Sequence, residues 1–292
     1  EPPKYPTVFE YYRKHSSPNK SALNAWWVSD SLGPYPYLNY SLYDGYGAAY
    51  GANAIQPLSL FSPNSNSVLG NPMSISSTQK VVCDLMREVM DGQFNPRTAA
   101  LPTGIVNTPE DAERLRIWLK QMMNEVSMGL HSNPWGVGLN GDMFNVYMGT
   151  KILQEYKPEL MVINMQNIDV AHTNFTKYAN NIRMADFALS KLWESIQSTP
   201  GLANDTVLIV APEHGRNLQP NTVRDTYGRL ALDHNNDEMS RRIFCLVVGP
   251  PGIVKQNQLI DKPVGESIDI VPTVANIIGF NTDIQFGMLD GR

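Results

Sequence analysis

Apolar positions along the chain follow two kinds of spacing, and the change between them divides the molecule. From residue 158 onward, short continuous apolar runs alternate with longer stretches of helical period. Leu160-Met161-Val162-Ile163-Asn164-Met165 has the length and apolar content of a buried strand. So do Thr206-Val207-Leu208-Ile209-Val210-Ala211 and the run over 242–249. Residues 178–197 read as an amphipathic helix, and residues 267–278 as a closing helix stopped by Gly279. Buried strands alternating with helices predict an α/β fold, a three-layer α/β/α sandwich on a mostly parallel central sheet.

The earlier half has another texture. Residues 7–14 read as a short helix and Ala25-Trp26-Trp27-Val28-Ser29 as a strand. Residues 33–71, rich in Gly, Pro, Ser, Asn and Tyr, read as a long ordered loop. Residues 77–90 and 143–156 carry helical spacing. Thr108 offers an N-cap ahead of Pro109, Glu110 and Asp111. The helix it starts is expected to reach about Leu130 and to bury Leu115, Trp118, Leu119, Met122 and Met123. The expected division is residues 1–32 as the start of an α/β core, 33–157 as a loop-rich and helical insertion or cap, and 158–292 as the core that carries chemistry.

Composition narrows this picture without redirecting it. A chain of 292 residues, 42% hydrophobic and 17% charged, can bury a full core. A net charge of -5 with no basic run argues against a nucleic-acid partner. No apolar stretch approaches the roughly 20 residues of a membrane span. Cys83 and Cys245 lie in apolar runs and read as two buried free thiols, which leaves the redox compartment open.

Candidate chemistry gathers where the predicted strands end, the place where open parallel sheets bind ligands. Asp169 and His172 follow the first of the three late strands. Glu213-His214-Gly215-Arg216 follows the second, and Asp233-His234-Asn235-Asn236-Asp237 precedes the third. Three of the chain's five histidines therefore sit at strand ends, with carboxylates close by. Mixed imidazole and carboxylate donors suit zinc, and carboxylate-richer sets suit manganese or related ions. Gly215 would allow a close backbone approach at the turn. Arg216 presents a guanidinium, which matches phosphate or sulfate geometry.

Asp-x-x-His, then Glu-His-Gly, then a later lone His resembles the motif order of the alkaline phosphatase superfamily, which includes sulfatases, phosphodiesterases and phosphonate hydrolases. The likeness covers about 158–280 well and 1–27 more weakly. It implies that Asp169, His172 and His234 hold one divalent ion and that Glu213 and His214 contribute to a second, with zinc the expected metal. It implies a phosphate or sulfate ester hydrolase acting on an anionic substrate, in a periplasmic, cell-surface or secreted setting.

Three departures open an alternative. Asp169 and His172 are three apart where many members have four, and Glu213 stands where Asp is usual. No Ser or Thr in the first thirty positions follows a buried strand, so no nucleophile is assigned. The expectation is a C-terminal portion whose nucleophile comes from an N-terminal fragment or companion chain. The alternative is a catalytically degenerate member acting as a binding or structural subunit of a larger assembly.

Overall fold

The computed structural model describes residues 3–16, 19–29, 38–57, 77, 105, 107–131, 133–172, 174–220, 222, 224, 227–230, 233–234 and 237–282. Cys83 and, apart from Ser77, the helix expected over 77–90 lie outside them. The fold is mixed α/β, with a three-stranded parallel sheet and six α-helices among the described residues. The chain divides into two units, Glu1–Met165 with Ile270–Gly291, and Gln166–Asp269. No described helix is long and apolar enough to cross a membrane.

In the first unit, helix α1 (Val8–His15) starts at a capping box in which Thr7 and Glu10 each accept from the other's backbone N–H. Glu10 does more than cap. Its fully buried carboxylate also accepts from the Ser41 hydroxyl at 2.8 Å and the Gly47 N–H at 2.7 Å, which ties the 41–47 loop to the helix. Gly47 holds φ 87° and ψ -160°, a conformation essentially confined to glycine.

Strand β1 (Ala25–Val28) lies between β2 (Asn53–Ile55) and β3 (Leu160–Ile163), parallel to both. β2 falls inside the stretch expected to be loop. Three residues opening on Asn53 are too short to show a period, and only the ladder to β1 identifies them as a strand. Side chains alternate across the sheet. Ala25, Trp27, Leu160 and Val162 meet Phe9, Tyr12, Ala275 and Phe280, from α1 and from α6 (Ile270–Ile278) with the residues after it. The alternate position Trp26 stacks on Tyr156 with centroids 5.2 Å apart and meets Trp118 edge-on at 6.0 Å. Those rings belong to α3 (Gly141–Tyr156) and α2 (Pro109–Ser127).

Helix α2 begins where Thr108 and Pro109 place it, with the Thr108 side chain accepting from the Asp111 N–H. Of its expected apolar stripe, Trp118, Leu119, Met122 and Met123 are buried and Leu115 is half-buried. A buried aromatic or methionine of this kind costs about 2–5 kcal/mol when cut to alanine.

The second unit holds a 3-10 turn (Asn167–His172), α4 (Phe175–Ser198), β4 (Leu208–Val210), the short α5 (Glu238–Arg241) and β5 (Leu246–Val248). Here the pattern misleads. β4 and β5 pair antiparallel as a separate two-stranded ladder, where parallel strands are expected. Their faces are not fully covered either: β4 is half-buried, while Phe244, Leu246 and Val247 are exposed. A continuous apolar run signals burial on both faces only if both faces find partners, and here the consecutive positions Leu246 and Val247, which point to opposite faces, are both exposed. Cys245, expected to be buried, is an exposed free thiol for the same reason.

Candidate metal centre

The site is built from the second unit alone. Asp169 sits in the 3-10 turn after β3, where its N–H donates to the Gln166 carbonyl at 3.0 Å. The turn is fastened to α4 from two directions. Asn181 donates its side-chain amide to the Asn167 carbonyl, and the Asn174 N–H donates to the Val170 carbonyl at 3.1 Å. Asn174 also caps α4 by accepting from the Lys177 N–H at 3.0 Å. A short segment tied at both ends presents its carboxylate at a fixed height.

His214 follows β4 on an irregular segment laced to the chain ahead of β5. Gly215 donates its N–H to the Ser240 carbonyl at 2.7 Å, and Asn217 donates to the Asp233 carbonyl at 2.7 Å. Leu218 donates to Asp237 Oδ2 at 3.0 Å, while Asp237 Oδ1 accepts from the Met239 N–H at 2.8 Å and caps α5. The backbone comes so close that a Cβ at position 215 would collide with the carbonyl oxygens of Met239 and Arg242. Glycine is needed here for space, as the Glu-His-Gly sequence suggests.

This lacing carries His234 to His214. Their rings lie 4.0 Å apart at 35°, and His214 Nε2 is 3.6 Å from Asp169 Oδ1. One donor atom from each of Asp169, His214 and His234 falls within 4.8 Å of the others, with the carboxylate exposed and both imidazoles half-buried. Of the five residues expected to bind metal, the structure brings these three together. Glu213 is exposed and stands outside the group. His172 ends the 3-10 turn, and its side chain lies outside what the structure describes. The grouping also cuts across the one the resemblance implies, because His214 joins Asp169 and His234.

The protonation pattern of His214 bears on what the group can hold. Its Nδ1 is 2.8 Å from the Gly215 carbonyl oxygen, which only accepts, so Nδ1 carries the hydrogen. Nε2 then turns a lone pair toward a carboxylate oxygen. In a neutral ring these two acceptors, 3.6 Å apart, would be bridged by a cation, and in a protonated ring by the Nε2 proton itself. A tetrahedral ion with bonds of about 2.0–2.1 Å spaces its ligands at roughly 3.3 Å, close to that separation. Two imidazoles and one carboxylate, with a coordination position left over, form a donor set that fits zinc.

Arg216 leans on an aromatic pair. Its guanidinium lies 5.2 Å from the ring centroid of Tyr178, which is 5.5 Å from that of the exposed Phe175 at the start of α4. Two further residues bear on the chemistry. Ser29 directly follows β1, because that strand ends one residue earlier than expected. It is fully buried and its hydroxyl accepts from the Asn164 amide at 3.2 Å, which denies it the access a nucleophile needs. Asp233, buried beside His234, was visible in the sequence only as its neighbour.

No family model matches the chain, and no curated protein or solved structure is significantly similar to it.

Proposed function

We propose that the protein is a metal-dependent hydrolase of phosphate or sulfate esters related to the alkaline phosphatase superfamily, binding zinc through Asp169, His214 and His234. The observation that carries this reading is the approach of these three donors, with His214 Nε2 3.6 Å from the Asp169 carboxylate. The full architecture under this reading is a three-layer sandwich, and the setting is periplasmic, cell-surface or secreted.

When bound, such an ion supplies Lewis-acid activation of a water or hydroxyl and neutralises charge on the ester oxygens. The chain's own residues do the rest. Asp169 and the two histidines hold the ion in place, and Gly215 fixes the tautomer of His214 through its carbonyl. Arg216, steadied on Tyr178, turns a planar cation toward non-bridging oxygens of an anionic ester. The attacking group is not assigned to a residue of this chain.

The test combines metal analysis with turnover. The protein should bind zinc, and His214→Ala should weaken that binding by at least about 100-fold, more than loss of a merely orienting partner would. Full-length protein should hydrolyse an aryl phosphate or an aryl sulfate. Zinc binding that is indifferent to Asp169→Ala and His214→Ala would sink the reading. One observation favours a second reading, a degenerate member that binds without turning over: Glu213 is exposed and apart from the group. Tight zinc binding with no hydrolysis of either ester by the full-length protein selects that alternative.

A further inference from the structure

We infer that Asp233 is the carboxylate that orients His234 for the ion, and that the two histidines bind it through opposite ring nitrogens. This rests on the metal reading above and adds to it a residue and a polarity.

Asp233 is 7% exposed, which is unusual for a carboxylate that serves no local purpose. Its position is fixed from several sides. Its carbonyl accepts from the Asn217 N–H at 2.7 Å, and its Oδ1 accepts from the backbone N–H of His234 at 2.9 Å. The same Oδ1 lies 3.6 Å from His234 Nε2. That distance is electrostatic contact and not a closed hydrogen bond, yet it decides where the ring keeps its hydrogen. A lone pair directed at the carboxylate is repelled, and an N–H is attracted. With the hydrogen on Nε2, His234 would donate to the ion through Nδ1.

His214 has the reverse arrangement. The Gly215 carbonyl holds its Nδ1–H at 2.8 Å, and Nε2 faces Asp169. Asp233 does not itself belong to the group of three donors, so its role is to stand behind a ligand. A carboxylate behind a metal-bound imidazole fixes its tautomer and raises its basicity. The lacing of 215–218 to 233–240 serves both histidines at once, because the Asn217 to Asp233 bond sets Asp233 from the His214 side.

Two measurements test this. Zinc affinity is determined by chelator competition for the wild type, Asp233→Asn and Asp233→Glu. The ring nitrogens are then assigned by ¹⁵N-¹H correlation in zinc-loaded wild-type protein. Asp233→Asn, which keeps the shape and removes the charge, should weaken zinc by about 10–100-fold, with Asp233→Glu recovering part of the loss. The spectra should place the metal on Nε2 of His214 and on Nδ1 of His234. Equal zinc affinity in the wild type and Asp233→Asn, or coordination of both rings through Nε2, overturns the inference while leaving the metal reading intact. A wild-type protein that binds no zinc overturns both.

Discussion

His131 in the first unit and His214 in the second both use Nδ1 in a hydrogen bond, and the two units put them to opposite uses. His131 is 1% exposed, with Nδ1 2.8 Å from the Tyr147 hydroxyl and Nε2 3.3 Å from Glu125 Oε2. Burial drives its pKa down to about 4, against the pull of Glu125 and with help from Lys151. Burial also pushes Tyr147 up to about 12, assisted by Glu125. His214 is half-buried, and its second nitrogen faces a carboxylate that solvent reaches. The first unit keeps His131 neutral between two helices, and the second brings His214 and His234 together beside a carboxylate. A carboxylate stands opposite the second nitrogen in both, and what differs is solvent access: His131 is sealed in the core, whereas His214 is half-buried beside an exposed Asp169.

The largest expected effect lies in the first unit. Glu10→Ala removes a buried acceptor from the Thr7 N–H, the Ser41 hydroxyl and the Gly47 N–H together. It should cost about 3–4 kcal/mol in urea unfolding, since buried groups lose their partner outright. If the two units are energetically separate, zinc affinity below the transition stays at the wild-type value. A parallel loss of zinc affinity would break the comparison.

Acid comes next. His131 takes up a proton near pH 4 in the fold and near 6.5 in the unfolded chain, so the unfolded chain holds more protons between those values. Its contribution is complete above pH 6.5 and is lost as the pH falls from there through 4, up to about 3 kcal/mol. Stability measured from pH 7 to 3.5 should therefore fall more steeply in the wild type than in His131→Gln. Equal slopes would remove His131 from the account.

Gly215→Ala is the counterpart in the second unit. The added methyl meets the Met239 and Arg242 carbonyls, and relief of that collision should cost about 2 kcal/mol. Because His214 rides on the same segment, zinc affinity should drop with stability, as it does not for Glu10→Ala. The smallest effect is the pair of Lys20 and Glu159, 2.8 Å apart and partly exposed. Lys20→Ala should lower stability by about 0.5 kcal/mol, and by less in high salt.

Much of the local structure was legible because it depends on neighbours in the chain. Thr108 caps its helix through a backbone group three residues on, and Pro109 fits the first turn without needing a partner. Gly279, at φ 87°, ends the last helix as read. The candidate chemistry was also legible, since acids and histidines recur where strands stop. Their grouping was not. Which histidine joins which carboxylate depends on bonds such as Gly215 to Ser240 and Asn217 to Asp233, which span 25 and 16 positions and leave no period in the sequence.

The sequence by itself therefore determined the longer helices, the Thr108 cap and the Gly279 stop, the apolar strands and the stock of histidines and carboxylates at their ends, because spacing and side-chain chemistry act over a few residues. Only the tertiary structure decided that Asn53–Ile55 is a strand, that β4 and β5 run antiparallel with Cys245 exposed, and that Asp169, His214 and His234 meet. Each of those outcomes depends on contacts between segments distant in the chain, where the partner sets the environment of a side chain and its own neighbours do not.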